Sequence, residues 1–263
     1  MTDRVLLGYT GFVGQNLLRQ RPFDLCVNRS NIADLKGVHA DLLVVSAMPA
    51  EKWRANQNPD EDLANLRRLQ ASLTGVSAKR VVLISTVDVY PHPHGVDEDA
   101  TIKEALQQPY GAHRLRLEQW VRERFERCTI VRLPGLFGPG LKKNVLFDLL
   151  HGHQTQLIHL DAQFQWYPIT RLAEDIEQAL AHDLSCVNAA VEPVRTKDIV
   201  DRFFPGMDLQ AQPQPPARYG ITSRHSALFG GQSGFWLSRD QVLESIGEWI
   251  LSEGGAHAGG RSA

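Results

Sequence analysis

The stretch "VLLGYTGFVGQNLL" (residues 5–18) decides the fold. An apolar run that reads as a buried strand gives way to Gly8, Gly11 and Gly14 at G-x-x-G-x-x-G spacing, then to an amphipathic helix over about 12–20. The glycines permit a tight turn and let a pyrophosphate approach the backbone at the helix N-terminus, where free N–H groups and the helix dipole favour an anion. A plain strand-to-helix turn carries glycines too. Here the strand stands before them, the helix after them, and all lie at the start of the chain. The stretch therefore reads as a dinucleotide cradle made by Gly8, Thr10, Gly11, Phe12, Val13 and Gly14.

Outward from this turn, apolar runs at 4–9, 24–28, 41–47, 80–85 and 128–133 alternate with helical stretches near 59–75, 109–127 and 171–182. Strands apolar nearly throughout are those covered by helices on both faces. The predicted fold is α/β, a Rossmann-type doubly wound parallel sheet. After residue 134 the texture changes to "PGLFGPGLKKN", the short strands "QLIHL" (156–160) and "CVNAAV" (186–191), a Pro-rich stretch at 211–220 and a last helix near 238–252. This reads as a small, irregular C-terminal cap. The expected division is 1–134 with about 170–192 for the dinucleotide domain, 135–169 with 193–252 for the cap, and 253–263 as a flexible tail.

With 263 residues, 43% of them hydrophobic, the chain can bury a full core, and its net charge of −2 offers no basic field for nucleic acid. Cys26, Cys128 and Cys186 lie in apolar, strand-like runs with no metal-type spacing, as buried reduced thiols do. The N-terminus enters a strand at once and no apolar run approaches the ~20 residues of a membrane helix, so a soluble, cytoplasmic protein is expected. "PHPH" (91–94) and "HGH" (151–153) have no second ligand pair at a known spacing, so no metal is expected; His92 reads as a solvent or substrate contact.

An NAD-selective site carries an acid at the end of the second strand. This chain has Asn28, Arg29 and Ser30 there, followed by Asn31. No carboxylate repels a 2′-phosphate and Arg29 can pair with one, so NADP is preferred, with NAD still able to bind through Asn28.

"LISTVDVYP" (83–91) places Ser85 and Thr86 at the carboxyl end of the fourth strand, where open α/β sheets hold ligands, and "PYGAHRLRLE" (109–118) follows. Together with the glycine turn, this order resembles the extended short-chain dehydrogenase/reductase family, which contains nucleotide-sugar epimerases, dehydratases and reductases. Thr86 and Tyr90 match its Ser/Thr-to-Tyr spacing. "YGAHRLRLE" matches its Tyr-Gly-x-x-Lys helix except that Arg114 replaces the lysine. "VRLPGLFGPG" resembles its Arg-x-x-x-x-Tyr-Gly-Pro segment, with Phe137 as the aromatic residue. The likeness covers residues 3 to about 180.

The resemblance implies that Tyr110 is the general acid/base, that Thr86 binds the same substrate oxygen, and that Arg114 supplies the cation making a phenol of ordinary pKa ~10 a competent base. Arg114 lies one helical turn from Tyr110, within reach of phenol and cofactor ribose, but its fork is bulkier than an ammonium. Should another group be the acid/base, His113 or Tyr90 are the candidates, with His113 reading as a helix-surface residue. Strand ends at Ser46, Ala47, Met48, Leu133 and Pro134 complete the implied cofactor contacts. On the substrate side stand Thr86, Asp88, Tyr90, Lys142, Lys143, Asn144 and Arg171, with Arg224 a softer candidate. Lys142 and Lys143 beside a helix start would suit a diphosphate, or are simply solvated.

The acidic loop 95–104 reads as a solvated surface before a substrate lid. Leu117, Trp120, Val121 and Phe125 read as core or as the face of a homodimer. Val87 and Asp88 after Thr86 give no acidic pair of the dehydratase type, and the short chain leaves little cap, which favours a reductase or a smaller substrate. The expected activity is an NAD(P)-dependent oxidoreductase or epimerase acting by hydride transfer on a small molecule, a nucleotide-activated or related sugar. The alternative is a catalytically weak or inactive dinucleotide-binding regulatory or scaffold protein, kept open by Arg114 and the weak C-terminal likeness.

Overall fold

A computed structural model describes residues 2–207, 209 and 212–258. In chain order its strands and α-helices are β1 (Thr2–Leu7), α1 (Phe12–Gln20), β2 (Leu25–Val27), β3 (His39–Val45), α2 (Lys52–Gln57), α3 (Pro59–Leu73), β4 (Ser77–Thr86), α4 (Pro109–Arg124) and β5 (Cys128–Leu133). They continue with β6 (Gly135–Phe137), α5 (Val145–His151), β7 (Gln163–Phe164), β8 (Trp166–Pro168), α6 (Leu172–Ala181), β9 (Cys186–Asn188), β10 (Val194–Arg195), α7 (Thr196–Phe203) and α8 (Arg239–Ala258). The chain divides into two compact units.

The first unit comprises Met1–His92, Glu98–Leu133 and Arg171–Asn188. Its six strands form one sheet in the order β2-β1-β3-β4-β5-β9, every neighbouring pair parallel. Val5, Leu6 and Leu7 are buried in succession, as are Val81, Val82 and Leu83, because helices cover both faces. From β1 the chain steps out to β2 and returns past β1 to β3. That reversal opens a crevice at the carboxyl ends of β1 and β3, the ligand position of open α/β sheets. Leu117, Val121 and Phe125 of the α4 segment belong to the core with Leu43, Leu83 and Ile130, and Trp120 packs against them, so they serve the core and are not left over as a dimer face.

The sheet and helix runs read from the sequence sit within a few residues of the observed elements, apart from the short strands β6, β7, β8 and β10, which were not expected, and the differences that follow. The strand expected at "QLIHL" is absent: Gln154 takes a left-handed conformation (φ 47°) and opens a 3-10 turn over Thr155–Leu157. Apolar content alone suggested a strand there, yet Leu157 is 67% exposed. The short helices α2 and α7 were not expected, since six to eight residues carry too little periodicity to show. The three cysteines lie in β2, β5 and β9, half-buried where fuller burial was expected.

The second unit takes Pro93–Asp97, Pro134–Thr170 and Ala189–Ala263. The segment 93–97 joins it through backbone bonds such as Gly95 N–H to Gly220 O (2.9 Å). β6 pairs parallel with β8, and β7 antiparallel with β10. Aromatic packing fills its interior: Phe229 stacks on Trp236 at 3.7 Å, Tyr167 meets Trp236 edge-on, and Phe137 meets Trp249. The last helix runs to Ala258, so residues 253–258 extend it instead of beginning a tail. Residues 259–263, and parts of the Pro-rich stretch, lie outside the described residues. No helix among the described residues is long and apolar enough to cross a membrane.

Candidate active site

The glycine turn stands at the crevice. Gly8 has φ +96°, and a Cβ there would lie 2.5 Å from Ser46 O, because the end of β3 closes on the end of β1. Ser46 seals this contact by donating its N–H (2.8 Å) and its hydroxyl (3.2 Å) to Leu7 O. A Cβ at Gly14 would strike the Gly8 carbonyl oxygen and stand 2.6 Å from Tyr9 Cα, so α1 starts pressed against the turn. Helix α1 begins from Gly11 with no side chain capping its first N–H groups. Free donors, a positive helix end and a surface bare of side chains together fit a pyrophosphate.

Next to the crevice, the end of β2 leads into a 3-10 turn at Arg29–Leu35. Asn28 and Asn31 build its cap: Asn28 Oδ1 accepts from Ser30 N and Oγ (2.7 Å each), and Asn31 Oδ1 accepts from Asn28 N (2.8 Å). The side chains of Asn28 and Ser30 thus shape the loop. Arg29 is exposed and, among the described residues, without a partner. It lines a cavity of about 220 Å³ with Pro49, Arg54, Asn58, Glu61 and Asp62. Arg54 in that wall is held by Glu61 (2.9 Å) and Glu51 (3.7 Å).

Tyr110 sits in the first turn of α4, behind Pro109. Gly111 follows it because a side chain there would strike the Asp88 carbonyl oxygen. That close approach lowers α4 onto the Val87–Val89 turn and brings Tyr110 near Thr86, whose hydroxyl accepts the Asp88 N–H and favours the ionised phenol. The Tyr110 N–H donates to Asn56 Oδ1 (3.0 Å). The guanidinium of Arg114 lies over the phenol ring, Cζ 4.1 Å from its centroid. Its donors go to Asp62 and to the Pro49 carbonyl, and Asp62 also takes His113 Nδ1 at 2.8 Å. Burial is the largest influence on the Tyr110 phenol and pushes its pKa up. Arg114 pulls it down, Asp88 pushes it up, and the Thr86 hydroxyl and Lys52 pull it down, without reversing the rise.

Residues 23–166, more than half of the chain, match the NAD dependent epimerase/dehydratase family. The chain belongs to this family. The match begins after the glycine turn, so that part of the site rests on its own geometry. No curated protein matches the chain in sequence. Solved structures of similar fold include a dTDP-4-dehydrorhamnose reductase from Clostridium acetobutylicum (16% identical, 95% of this chain and 99% of that one, TM-score 0.71). Another is TunA, an NAD-dependent NDP-hexosamine 5,6-dehydratase of tunicamycin biosynthesis (19%, 96% and 98%, 0.73). A third is RMD from Pseudomonas aeruginosa with NADPH (18%, 97% and 100%, 0.73). At these identities the likeness is one of fold.

Within this member of the epimerase/dehydratase family, several sequence assignments change. Tyr90, expected at the substrate or as a reserve acid/base, is 4% exposed. Its hydroxyl is bonded by Arg132 Nη1 (2.7 Å) and the Asn188 amide (3.0 Å). Burial pushes that phenol up to about 12 against the pull of Arg132 and Asn188, so it is a buried structural group. Arg132 in turn forks onto Glu118 (3.0 and 2.6 Å), and Glu118 accepts the Ser85 hydroxyl at 2.6 Å. His113 is buried against Asp62 and not on the helix surface. Asn144, expected at substrate, caps α5: its Oδ1 accepts Phe147 N (3.0 Å) and its Nδ2 donates to Leu136 O (2.8 Å).

The remaining assignments fall as follows. Thr10, Phe12 and Val13 stay with the glycine turn, Ala47 and Met48 follow β3, and Leu133 pairs in register with Thr86. Asp88 binds Lys52 Nζ at 2.7 Å. Arg171, in the first unit, pairs with Asp175 at 3.2 Å. Pro134 and the exposed Lys142 and Lys143 belong to the second unit. In the acidic loop, Glu98 accepts Asn188 N (2.7 Å) and Glu104 binds Arg116 (2.7 Å). His151 bonds Phe147 O and His153 bonds Asp148, and no described group of three or more His, Cys, Asp or Glu side chains is arranged for a metal. Sequence reading missed Lys52, Asn56 and Asp62. Their one signal was position, in the segment after the third strand's carboxyl end.

Proposed function

We propose that the chain is an NAD(P)H-dependent reductase of a keto group on a nucleotide-activated or related sugar, with NADPH the preferred cofactor. The bound dinucleotide supplies the hydride. The glycine turn and the first N–H groups of α1 hold its pyrophosphate, and the Thr86 hydroxyl orients the substrate oxygen. Tyr110 gives that oxygen a proton.

The observation that carries this reading is the buried Tyr110 phenol beside Thr86, held in its protonated form. Reduction needs a proton donor, whereas epimerisation and dehydration begin by taking a proton from a hydroxyl. The family and its structural neighbours support the chemistry: neighbours include a dTDP-4-dehydrorhamnose reductase crystallised with NADP and MoeE5 with UDP-glucuronic acid and NAD. A second reading, dinucleotide binding without turnover, draws on Arg114, whose charge is met by buried Asp62.

The test is NADPH oxidation against a panel of nucleoside-diphosphate keto-sugars across pH. A phenol raised above its ordinary value is protonated below it, so reductive turnover should hold through neutral pH and fall only above the ordinary ~10 of tyrosine. Turnover that grows as pH rises would favour proton removal first. Dinucleotide binding with no turnover on any sugar would favour the second reading.

The cofactor preference rests on Arg29, which lines the cavity and has no partner among the described residues. Arg29→Ala is expected to weaken NADPH by about 1–3 kcal/mol, the scale of hydrogen bonds to a charged group, and to leave NADH little changed. Calorimetric titration of both cofactors measures this, and equal affinities in the unmodified chain would overturn the preference.

A further inference from the structure

An ion pair beside Tyr110 has no part in the scheme above. Lys52 and Asn56, four residues apart, share one face of the short helix α2. Asn56 holds the backbone N–H of Tyr110 at 3.0 Å, and Lys52 Nζ holds Asp88 Oδ1 at 2.7 Å. Asp88 donates its own N–H to Thr86 Oγ1 at 3.1 Å, and its carbonyl oxygen lies where a side chain on Gly111, next to Tyr110, would strike it. One helix face thus grips both the main chain of the general acid and the carboxylate next to it.

The charges around the phenol are not equivalent. Arg114, on the helix of Tyr110 itself, is 3% exposed and spent on Asp62 and the Pro49 carbonyl, with His113 on the same oxygen of Asp62. Lys52 and Asp88 are 43% and 18% exposed in their side chains and paired to one another. With Lys52 removed, the Asp88 carboxylate would oppose a phenolate more strongly. The buried cation sits on the ring face, and the part-exposed pair stands on the turn that follows Thr86.

We propose that Lys52 and Asp88 are a positioning pair for Tyr110, Lys52 restraining the Asp88 carboxylate so that the phenol can release its proton. This rests on the acid/base reading of Tyr110. Arg114 favours the phenolate in the same sense as Lys52, Asp88 acts against both, and the Thr86 hydroxyl sides with the cations.

The test titrates the full chain labelled with [13Cζ]tyrosine by NMR, the Tyr110 signal being the one lost in Tyr110→Phe. Asp88→Asn should lower the Tyr110 midpoint by about one pH unit, and Lys52→Met should raise it by a similar amount or carry it beyond the titratable range. Lys52→Arg should return it toward the unmodified value. The basic limb of the pH–rate profile should move in the same directions. A pair serving only the fold would change the melting temperature of these variants and leave the midpoint and the limb in place, and that result overturns the proposal. Because the titration is read without turnover, it judges the pair separately from the acid/base reading, which fails instead if Tyr110→Phe keeps its activity.

Discussion

Tyr110→Phe is expected to lower turnover by about 10²–10⁴-fold, the range for loss of a positioned general acid, while the chain stays folded and still binds dinucleotide. The change removes only the hydroxyl. The ring remains in its buried seat, with Arg114 over its face and the Tyr110 N–H still on Asn56. The glycine turn is untouched. The loss should therefore appear in kcat, with cofactor affinity measured by fluorescence titration within about twofold of the original. Full turnover in Tyr110→Phe would remove the acid/base assignment. Neither reserve candidate could take it up, since Tyr90 is closed in by Arg132 and Asn188 and His113 by Asp62.

The second large effect concerns stability. Arg132→Met should destabilise the chain by about 3–5 kcal/mol, because Glu118 would be left with its charge buried and its chief partner gone. Glu118 is fully buried and Arg132 is 3% exposed, and Arg132 holds both carboxylate oxygens. Ser85 supplies one neutral hydrogen bond, and Arg122 approaches only to 3.9 Å from a half-exposed position. Replacing both partners, as Glu118→Leu with Arg132→Met, should recover much of the loss, since the cost lies in an unpaired buried charge and not in the absence of a pair. Urea unfolding midpoints of the two variants measure this. A single variant as stable as the unmodified chain would show that water or a rearranged side chain reaches Glu118.

Much of the fold was legible because its signals are local. Gly8, Gly11 and Gly14 announce a strand-to-helix turn wherever backbone must approach backbone, and strands covered on both faces show as unbroken apolar runs at 41–47, 80–85 and 128–133. Helix α1 was placed at its observed bounds, Phe12–Gln20, by its apolar spacing after Gly11. The neighbourhood of Tyr110 and Arg114 on one helix face follows from helical geometry alone.

What the sequence could not decide is where charges go once buried. Whether Arg114 is a free cation depends on Asp62, 52 residues away in the chain and on a different helix. Tyr90 and Tyr110 both stood as acid/base candidates in sequence, yet Arg132 and Asn188 close over one, while Arg114 lies over the ring of the other. Lys52 carries no motif and lies in a helix too short to show by periodicity, so its place beside Asp88 appears only when α2 packs on α4. Periodicity and glycine spacing are properties of neighbouring residues and survive in the sequence. Desolvation and ion pairing join residues that only folding brings together, so the tertiary structure alone determines the protonation of Tyr110 and which charges remain to serve it.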